Sequence, residues 1–430
     1  MKNSLLQKIM LVAGVIIMLG AFAVVPESYP WYYELILFNI GMFMWLFSNR
    51  KSLKKVKKSV FSLRPWILVV LSVLSIQGFS QDYTAQVEAF RKSFENKDIS
   101  HIKPHISPEL KFDPVPVANT PAVLNNIVTN LPLISIKIID VETGKAKVYY
   151  NFDLMGERES YIHFDESGQI VRIELVENLV KQEMEQARQM RESVQQPNPG
   201  EMMNKYPAQK VEFGSSDDLQ VIGSLYEIDK SAPVVLLCHQ AGYNKYEYAD
   251  IAPRLNAMGM NCLAIDQRSG GTFAEKPNET FERAKEKQLE TSYLEAEKDI
   301  NSAIDYLYTK YGKKVIVWGS SYSSSLALHI ASENENVAAV MAFSPGDYFG
   351  DAKASLGSVI PTIDKPFFIT SSKEEAVMIE KLLGDVKLSK TKVHFVPESN
   401  GYHGSRVLWS GQKGADEYWN AITTFLGSLN

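Results

Sequence analysis

The stretch Val315-Ile316-Val317-Trp318-Gly319-Ser320-Ser321-Tyr322-Ser323-Ser324-Ser325 decides how the rest of the chain is read. Val315 to Trp318 has the composition of a buried strand, and the small polar residues that follow give way to an apolar helical segment with Leu326, Ala327, Leu328 and Ile330. A strand, a sharp turn and a helix are therefore expected, with a serine at the apex. An apical serine held in a strained backbone conformation needs small residues two places before and two places after it. Ser321 meets that condition through Gly319 and Ser323, whereas Ser320 would have Trp318 and Tyr322 at those places. Ser323 falls where the helix should already have begun. The pattern is G-x-S-x-S, with serine replacing the usual final glycine.

Working outward, residues 211–430 alternate short apolar strands with helices. Strands are expected at Val211–Phe213, Leu219–Tyr226, Val234–Cys238, Asn261–Ile265, Val337–Phe343, Phe367–Ile369 and Val393–Val396, with helices at Tyr246–Met258 and Leu294–Tyr308. Such alternation predicts a mostly parallel sheet covered on both faces, with its chemistry gathered at the strand C-terminal ends. His239-Gln240-Ala241-Gly242 follows one strand, and Asp266-Gln267-Arg268-Ser269-Gly270-Gly271 another. Thr272–Thr291 is a long charged excursion with a short helix expected at Thr280–Leu289.

These segments resemble the α/β hydrolases, in the branch near dienelactone hydrolases and the catalytic domains of acyl-peptide-cleaving serine peptidases. The likeness is carried by L-L-C-H-Q-A-G, A-I-D-Q-R-S-G-G, V-W-G-S-S-Y-S, P-F-F-I-T-S-S-K-E-E and G-Y-H-G-S, in the order nucleophile, acid, histidine. It implies Ser321 as nucleophile and His403, in the loop Gly401-Tyr402-His403-Gly404, as base. Relatives place an aspartate three residues after a glycine that follows the apolar strand. Anchored on Pro366, that spacing puts Ser372 at the glycine and Glu375 at the acid, a one-residue slip gives Glu374, and Asp347 is a further alternative. The backbone N–H of Tyr322, together with that of Ala241 or Gln240, would receive an oxyanion. His239 and His329 are expected to support the site, and His394 to be structural.

Residues 81–176 begin with a helical pattern, Tyr83, Val87, Phe90 and Phe94, and pass through a stretch punctuated by Pro104, Pro108, Pro114, Pro116 and Pro121. A helix is expected at Pro121–Thr129, followed by strands at Leu133–Val141, Ala146–Leu154, Ser160–Phe164 and Ile170–Leu175. Helices followed by a meander predict an α+β domain, and the order resembles small cone-shaped domains of the nuclear transport factor type. His101, His105 and His163 are read there as solvated residues. Residues 177–210 are read as a charged helix, Glu177–Gln195, and a linker, Gln196–Pro207, rich in Pro, Asn and Gly.

Residues 1–80 carry nine basic and two acidic side chains, net +7, while the remainder carries 36 and 48, net −12. Leu5–Val25 and Leu35–Phe47 are apolar enough to be read as two membrane segments. The basic run from Arg50 to Arg64 then faces the cytoplasm. Pro65–Ser80 resembles a signal peptide cleaved before Gln81, or else is a third membrane segment. The signal-peptide alternative is also what a gene start assigned too early would produce. Either way residues 211–430 are expected outside the cytoplasm, periplasmic or extracellular. The acidic remainder offers nothing to nucleic acid phosphates. Cys238 and Cys262 lie in apolar strands and read as buried free thiols, with no metal-ligand spacing and no cofactor expected. The function expected is a serine hydrolase acting on a small-molecule ester. The alternatives are a peptidase or amidase acting on peptide-like substrates, and a catalytically silent domain of the same fold used for binding.

Overall fold

The computed structural model describes residues 82–429 apart from 114, 154–155, 180, 182–184 and 186–203. The apolar segments expected in 1–80, much of the helix expected at Glu177–Gln195 and the first part of the linker lie outside the described residues. Among the described residues no helix is long and apolar enough to cross a membrane. Residues Gln81–Asn430 form one compact unit.

That unit contains two sheets. The smaller follows helix α1 (Thr84–Asn96) and is built from β1 (Ile106–Lys111), β2 (Leu133–Glu142), β3 (Lys145–Phe152), β4 (Gly156–Phe164) and β5 (Ile170–Ile173), with α2 (Thr120–Asn130) between β1 and β2. The strands lie in the order β1-β5-β4-β3-β2. Alternation explains the meander: along β3, Ala146, Val148, Tyr150 and Phe152 are buried and the residues between them are not. Val87, Phe90 and Phe94 of α1 share one helical face, and Phe90 meets Tyr150 edge-on at 6.4 Å between ring centroids. The strand β1 was not expected from the sequence, because prolines dominate its surroundings. It pairs in parallel with β5 at the sheet margin, where a proline such as Pro108 is tolerated for want of a ladder partner.

The larger sheet comprises β6 (Gln209–Gly214), β7 (Gln220–Tyr226), β8 (Val234–Cys238), β9 (Asn261–Ile265), β10 (Val315–Ser320), β11 (Val337–Phe343), β12 (Phe367–Thr370) and β13 (Lys392–Phe395). Its order is β13-β12-β11-β10-β8-β9-β7-β6, and every pairing from β9 to β13 is parallel, while β7 runs antiparallel to both of its neighbours. The helices are α3 (Ile251–Ala257), α4 (Glu279–Glu286), α5 (Ala296–Tyr311), α6 (Tyr322–Glu333), the single turn α7 (Leu356–Val359), α8 (Ala376–Leu383) and α9 (Ala415–Gly427). The helix expected over Tyr246–Met258 is interrupted. A 3₁₀ turn at Lys245–Tyr248 precedes α3, and the Asn244 side chain caps that turn by accepting the Tyr246 N–H.

The unbroken apolar runs of the central strands follow from burial on both faces. Val315 and Val317 of β10 share a cluster with Ile300, Ile304 and Leu307 of α5 and Leu326 and Ile330 of α6. Ile316 and Trp318 face the opposite way, with Ile251 and Leu255 of α3 and Ile422 and Phe425 of α9. The first cluster continues into the core of the smaller sheet, including Phe90, Leu124 and Val148, so one apolar interior joins the two sheets.

Candidate active site

At the end of β10 the chain turns on Ser321, whose φ of 57° and ψ of −127° lie outside the conformations ordinary residues prefer. A non-glycine residue held there costs on the order of 1–3 kcal/mol, supplied by its surroundings. Two features hold it. The Ser321 N–H donates to Phe343 O at 2.7 Å, and a Cβ at Gly319 would lie 2.4 Å from Ser324 Cα, so only glycine fits two residues before the apex. Ser323, two residues after it, does more than stay small. Its Oγ accepts the Ser320 N–H at 3.0 Å and lies 2.8 Å from both the Cys238 and the Ser320 carbonyl oxygens, bracing the elbow against the end of β8.

The loop after β13 brings His403 to this serine. His403 Nε2 is 2.8 Å from Ser321 Oγ, and His403 Nδ1 is hydrogen-bonded to Glu375 Oε1. Glu375 stands immediately before α8, and its Oε2 accepts from Ser344 Oγ at 2.7 Å and from Ser372 N–H and Oγ at 3.2 and 3.1 Å. Burial alone would raise the Glu375 carboxyl. The adjacent imidazole and the donors from His403, Ser344 and Ser372 outweigh it and hold the group down at about 2. Of the three carboxylates considered from sequence, Glu375 is the one hydrogen-bonded to His403. Asp347 Oδ1 instead accepts the Leu356 N–H at 2.7 Å, at the start of α7. Glu374 lines the neighbouring cavity with Oε1 buried and unpartnered, and burial, then the charge of Glu375, pushes its carboxyl up to about 7.

The loop after β8 presents two backbone amides, and they differ. The Gln240 N–H donates to Glu247 Oε2 at 2.7 Å, so it is already engaged. The Gln240 carbonyl accepts the Tyr243 N–H at 3.2 Å and lies 2.8 Å from His239 Nδ1. Since His239 Nε2 accepts the Gln267 N–H at 3.0 Å, Nδ1 carries the proton, and the ring donates to that carbonyl. Burial pushes His239 down to about 4, keeping it neutral. Fixing the Gln240 carbonyl orients the peptide whose other end is the Ala241 N–H, and Ala241, Ser321 and Tyr322 all line the same cavity.

Two supports escaped the reading of the sequence. Glu247, fully buried, accepts from Gln240 N–H and from Ser320 Oγ at 2.8 Å, while Ser320 Oγ accepts the Ser405 N–H at 2.9 Å. One carboxylate thereby ties the β8 loop to the loop carrying His403. Ser344 links the acid to that same loop. No periodic or spacing signal marks either residue, although Tyr248, beside Glu247, stands out as an aromatic in a polar turn. Three other histidines have partners of their own: His163 is 2.8 Å from Glu174, His101 contacts Asn96, and His329 meets Phe349 edge-on. Cys238 and Cys262 are free and buried. Among the described residues no group of three or more His, Cys, Asp or Glu could hold a metal ion.

No known family model matches the chain. A thiohydrolase of Arthrinium phaeospermum is 29% identical over 144 residues, a match that spans 32% of this chain and 43% of that protein. Among solved structures, an esterase of Pyrococcus furiosus aligns over 55% of this chain and 95% of its own, with 17% identity and a TM-score of 0.39. The acylaminoacyl peptidase of Pyrococcus horikoshii aligns over 70% of this chain and 56% of its own, with 14% identity and a TM-score of 0.41. The chain's own largely parallel sheet, its strand–serine–helix elbow and the chain order serine, glutamate, histidine stand independently of these likenesses. The fold is of the α/β-hydrolase type.

Over Ser321 lies a cavity of about 550 Å³. Its lining includes the polar or charged Gln240, Ser321, Glu374, Glu375, Asn400 and His403 and the tyrosines Tyr293, Tyr322, Tyr348 and Tyr402. Val123, Asn126 and Ile127 of α2 and Arg158 of β4 also border it, so the smaller sheet's residues share the cavity with the elbow.

Proposed function

We propose that this protein is a serine hydrolase that cleaves a carboxylic ester through an acyl-enzyme on Ser321. The observation that carries the reading is the contact chain from Ser321 Oγ through the His403 imidazole to the Glu375 carboxylate. A serine hydroxyl does not ionise near neutrality, so attack on the ester carbonyl requires His403 Nε2 to take the proton as the Oγ–C bond forms. Glu375 fixes the tautomer with Nδ1 protonated and stabilises the imidazolium. Collapse of the tetrahedral intermediate breaks the bond to the alkoxy oxygen, which leaves with the proton from His403. Water then attacks the acyl-enzyme with His403 again as base, releasing the acid and restoring the Ser321 hydroxyl. The developing oxyanion is assigned to the N–H groups of Tyr322 and Ala241, each worth about 2.7–4 kcal/mol. Gln240 drops out as a donor because its N–H is held by Glu247.

A fluorophosphonate probe tests the reading. Labelling of the wild type that disappears in Ser321→Ala supports it, and folded wild type that takes no label would sink it. Aminoacyl amide substrates assayed beside oxoesters separate the ester reading from the peptidase and amidase alternatives.

The proposal extends to location and organisation. The basic run from Arg50 to Arg64 orients the upstream apolar segments so that the hydrolase block lies outside the cytoplasm, and the block of 81–176 is read as an accessory domain of the nuclear transport factor type. Mass spectrometry of the cellular protein distinguishes a mature start at Gln81 from intact segments retained as an anchor.

A further inference from the structure

Resting on the ester-hydrolase reading, we propose that the block built on the smaller sheet is part of the active site: it supplies the apolar wall that binds the substrate, and the substrates carry a medium-length aliphatic group beside the scissile ester. The cavity above Ser321 is amphipathic by origin. Its aliphatic side chains come mainly from the smaller-sheet block and the helix that follows it, Val115, Val123, Ile127, Leu131, Val176 and Leu179, whereas the hydrolase block adds only Ala241 and Met378. Without α2 and its neighbours the elbow would face polar side chains and the four tyrosines Tyr293, Tyr322, Tyr348 and Tyr402. At about 550 Å³ the cavity lies in the range that encloses most of a small organic ligand.

The wall is built in place. The Asn119 side chain, just before α2, accepts the Tyr293 N–H at 3.0 Å in a buried position, and Tyr293 stacks on Tyr322 of the elbow at 4.1 Å. Asn126 of α2 approaches so closely that a Cβ at Gly346 would lie 2.7 Å from its Nδ2. The face of α2 therefore docks against residues one step from Ser321. Each methylene buried on such a wall is worth roughly fourfold in affinity, which favours an eight-carbon group over a one- or two-carbon group by about a hundredfold or more.

The experiment compares methyl acetate, methyl octanoate and octyl acetate, the latter two placing the aliphatic group on the acyl and the alcohol side. Wild type is expected to favour at least one octyl-bearing ester by about a hundredfold in kcat/KM. Ile127→Trp, from a half-buried position on α2, should lower the ratio of octyl-ester to methyl acetate kcat/KM at least about tenfold, and Ile127→Ala should shift the preference to longer chains. Unchanged preference in both variants, or a parallel loss on all three esters, overturns the proposal. Binding of methyl octanoate to Ser321→Ala protein, weakened at least about tenfold by adding Ile127→Trp, reads the wall without chemistry. Failure of ester turnover with that binding difference intact counts against the hydrolase reading alone, and equal binding by the two proteins counts against the wall.

Discussion

The Ser344 hydroxyl lies 2.7 Å from Glu375 Oε2, to which it donates, and accepts the Gly404 N–H at 2.9 Å. One side chain thus holds both the carboxylate and the loop that carries the imidazole. Ser344 itself sits at a φ of 54°, with its N–H donated to Thr370 O at 2.7 Å, so its backbone is fixed by the neighbouring strand β12 rather than by preference.

Ser344→Ala should therefore act through Glu375 and His403. A hydrogen bond to a charged group is worth about 1.5–3 kcal/mol, so kcat is expected to fall roughly tenfold to a hundredfold with KM little changed. Steady-state kinetics with methyl acetate gives both values. An unaltered kcat would mean that Ser372 alone suffices to orient the acid.

Adjacent glutamates make the next contrast. Glu375→Gln keeps the shape of the site but lets the amide stabilise the wrong imidazole tautomer, a change expected to cost about 10⁴ in kcat. Glu374→Gln removes a carboxyl that lines the cavity without touching His403 and should change kcat on methyl acetate less than about tenfold. Equal, mild effects from the two variants would remove Glu375 from the mechanism.

What could be read from the chain depended on where the signal was local. The strand–serine–helix unit, the alternation along β3 and the two-faced burial of β10 are written in composition and period, and the elbow serine follows from sterics at Gly319. Glu375 could be counted from Pro366, but separating it from Glu374 needed the third dimension, because one residue turns the side chain from His403 into the cavity. The strand β1 was hidden because prolines suppress every strand signal except pairing, and its partner β5 is more than sixty residues away. Glu247 and Ser344 were invisible for a similar reason: their work consists of hydrogen bonds to loops distant in sequence. The sharing of the cavity by α2 and the elbow lies in tertiary packing that no motif carries.

Glu247 gives a pH prediction. Burial raises its carboxyl to about 7 from an ordinary 4.5, the donors from Gln240 and Ser320 opposing that rise only in part. A raised carboxyl favours the folded state below the unfolded value and loses that contribution as pH rises through the folded one. Glu247 and Glu374 therefore each contribute a decline between about pH 4.5 and 7, against the rise that His239 and His329, both pushed down to about 4 by burial, contribute between about pH 4 and 6.5, whereas Glu375, held at about 2, loses its contribution as pH falls from about 4.5 to 2. The urea midpoint of Glu247→Gln should therefore gain on that of wild type as pH rises from about 4.5 to 7. A variant profile parallel to that of wild type would show that Glu247 does not titrate there.

The serine at the last position of G-x-S-x-S leads to an expectation opposite to the one the usual motif suggests. If that position needed only to be small, Ser323→Gly would be neutral or stabilising, since glycine is the common residue there. Yet Ser323 Oγ accepts the Ser320 N–H and reaches the Cys238 carbonyl, and all three residues are fully buried. Removing the hydroxyl leaves a buried amide unsatisfied and loosens the junction between β8 and α6, while glycine near the start of α6 adds backbone entropy to the unfolded chain. Ser323→Gly is expected to destabilise the protein by about 1–3 kcal/mol, measured by urea unfolding, with the folded fraction retaining fluorophosphonate labelling at Ser321. A variant as stable as the wild type would show that the position requires smallness alone, and that the hydroxyl's three contacts contribute nothing to holding the elbow.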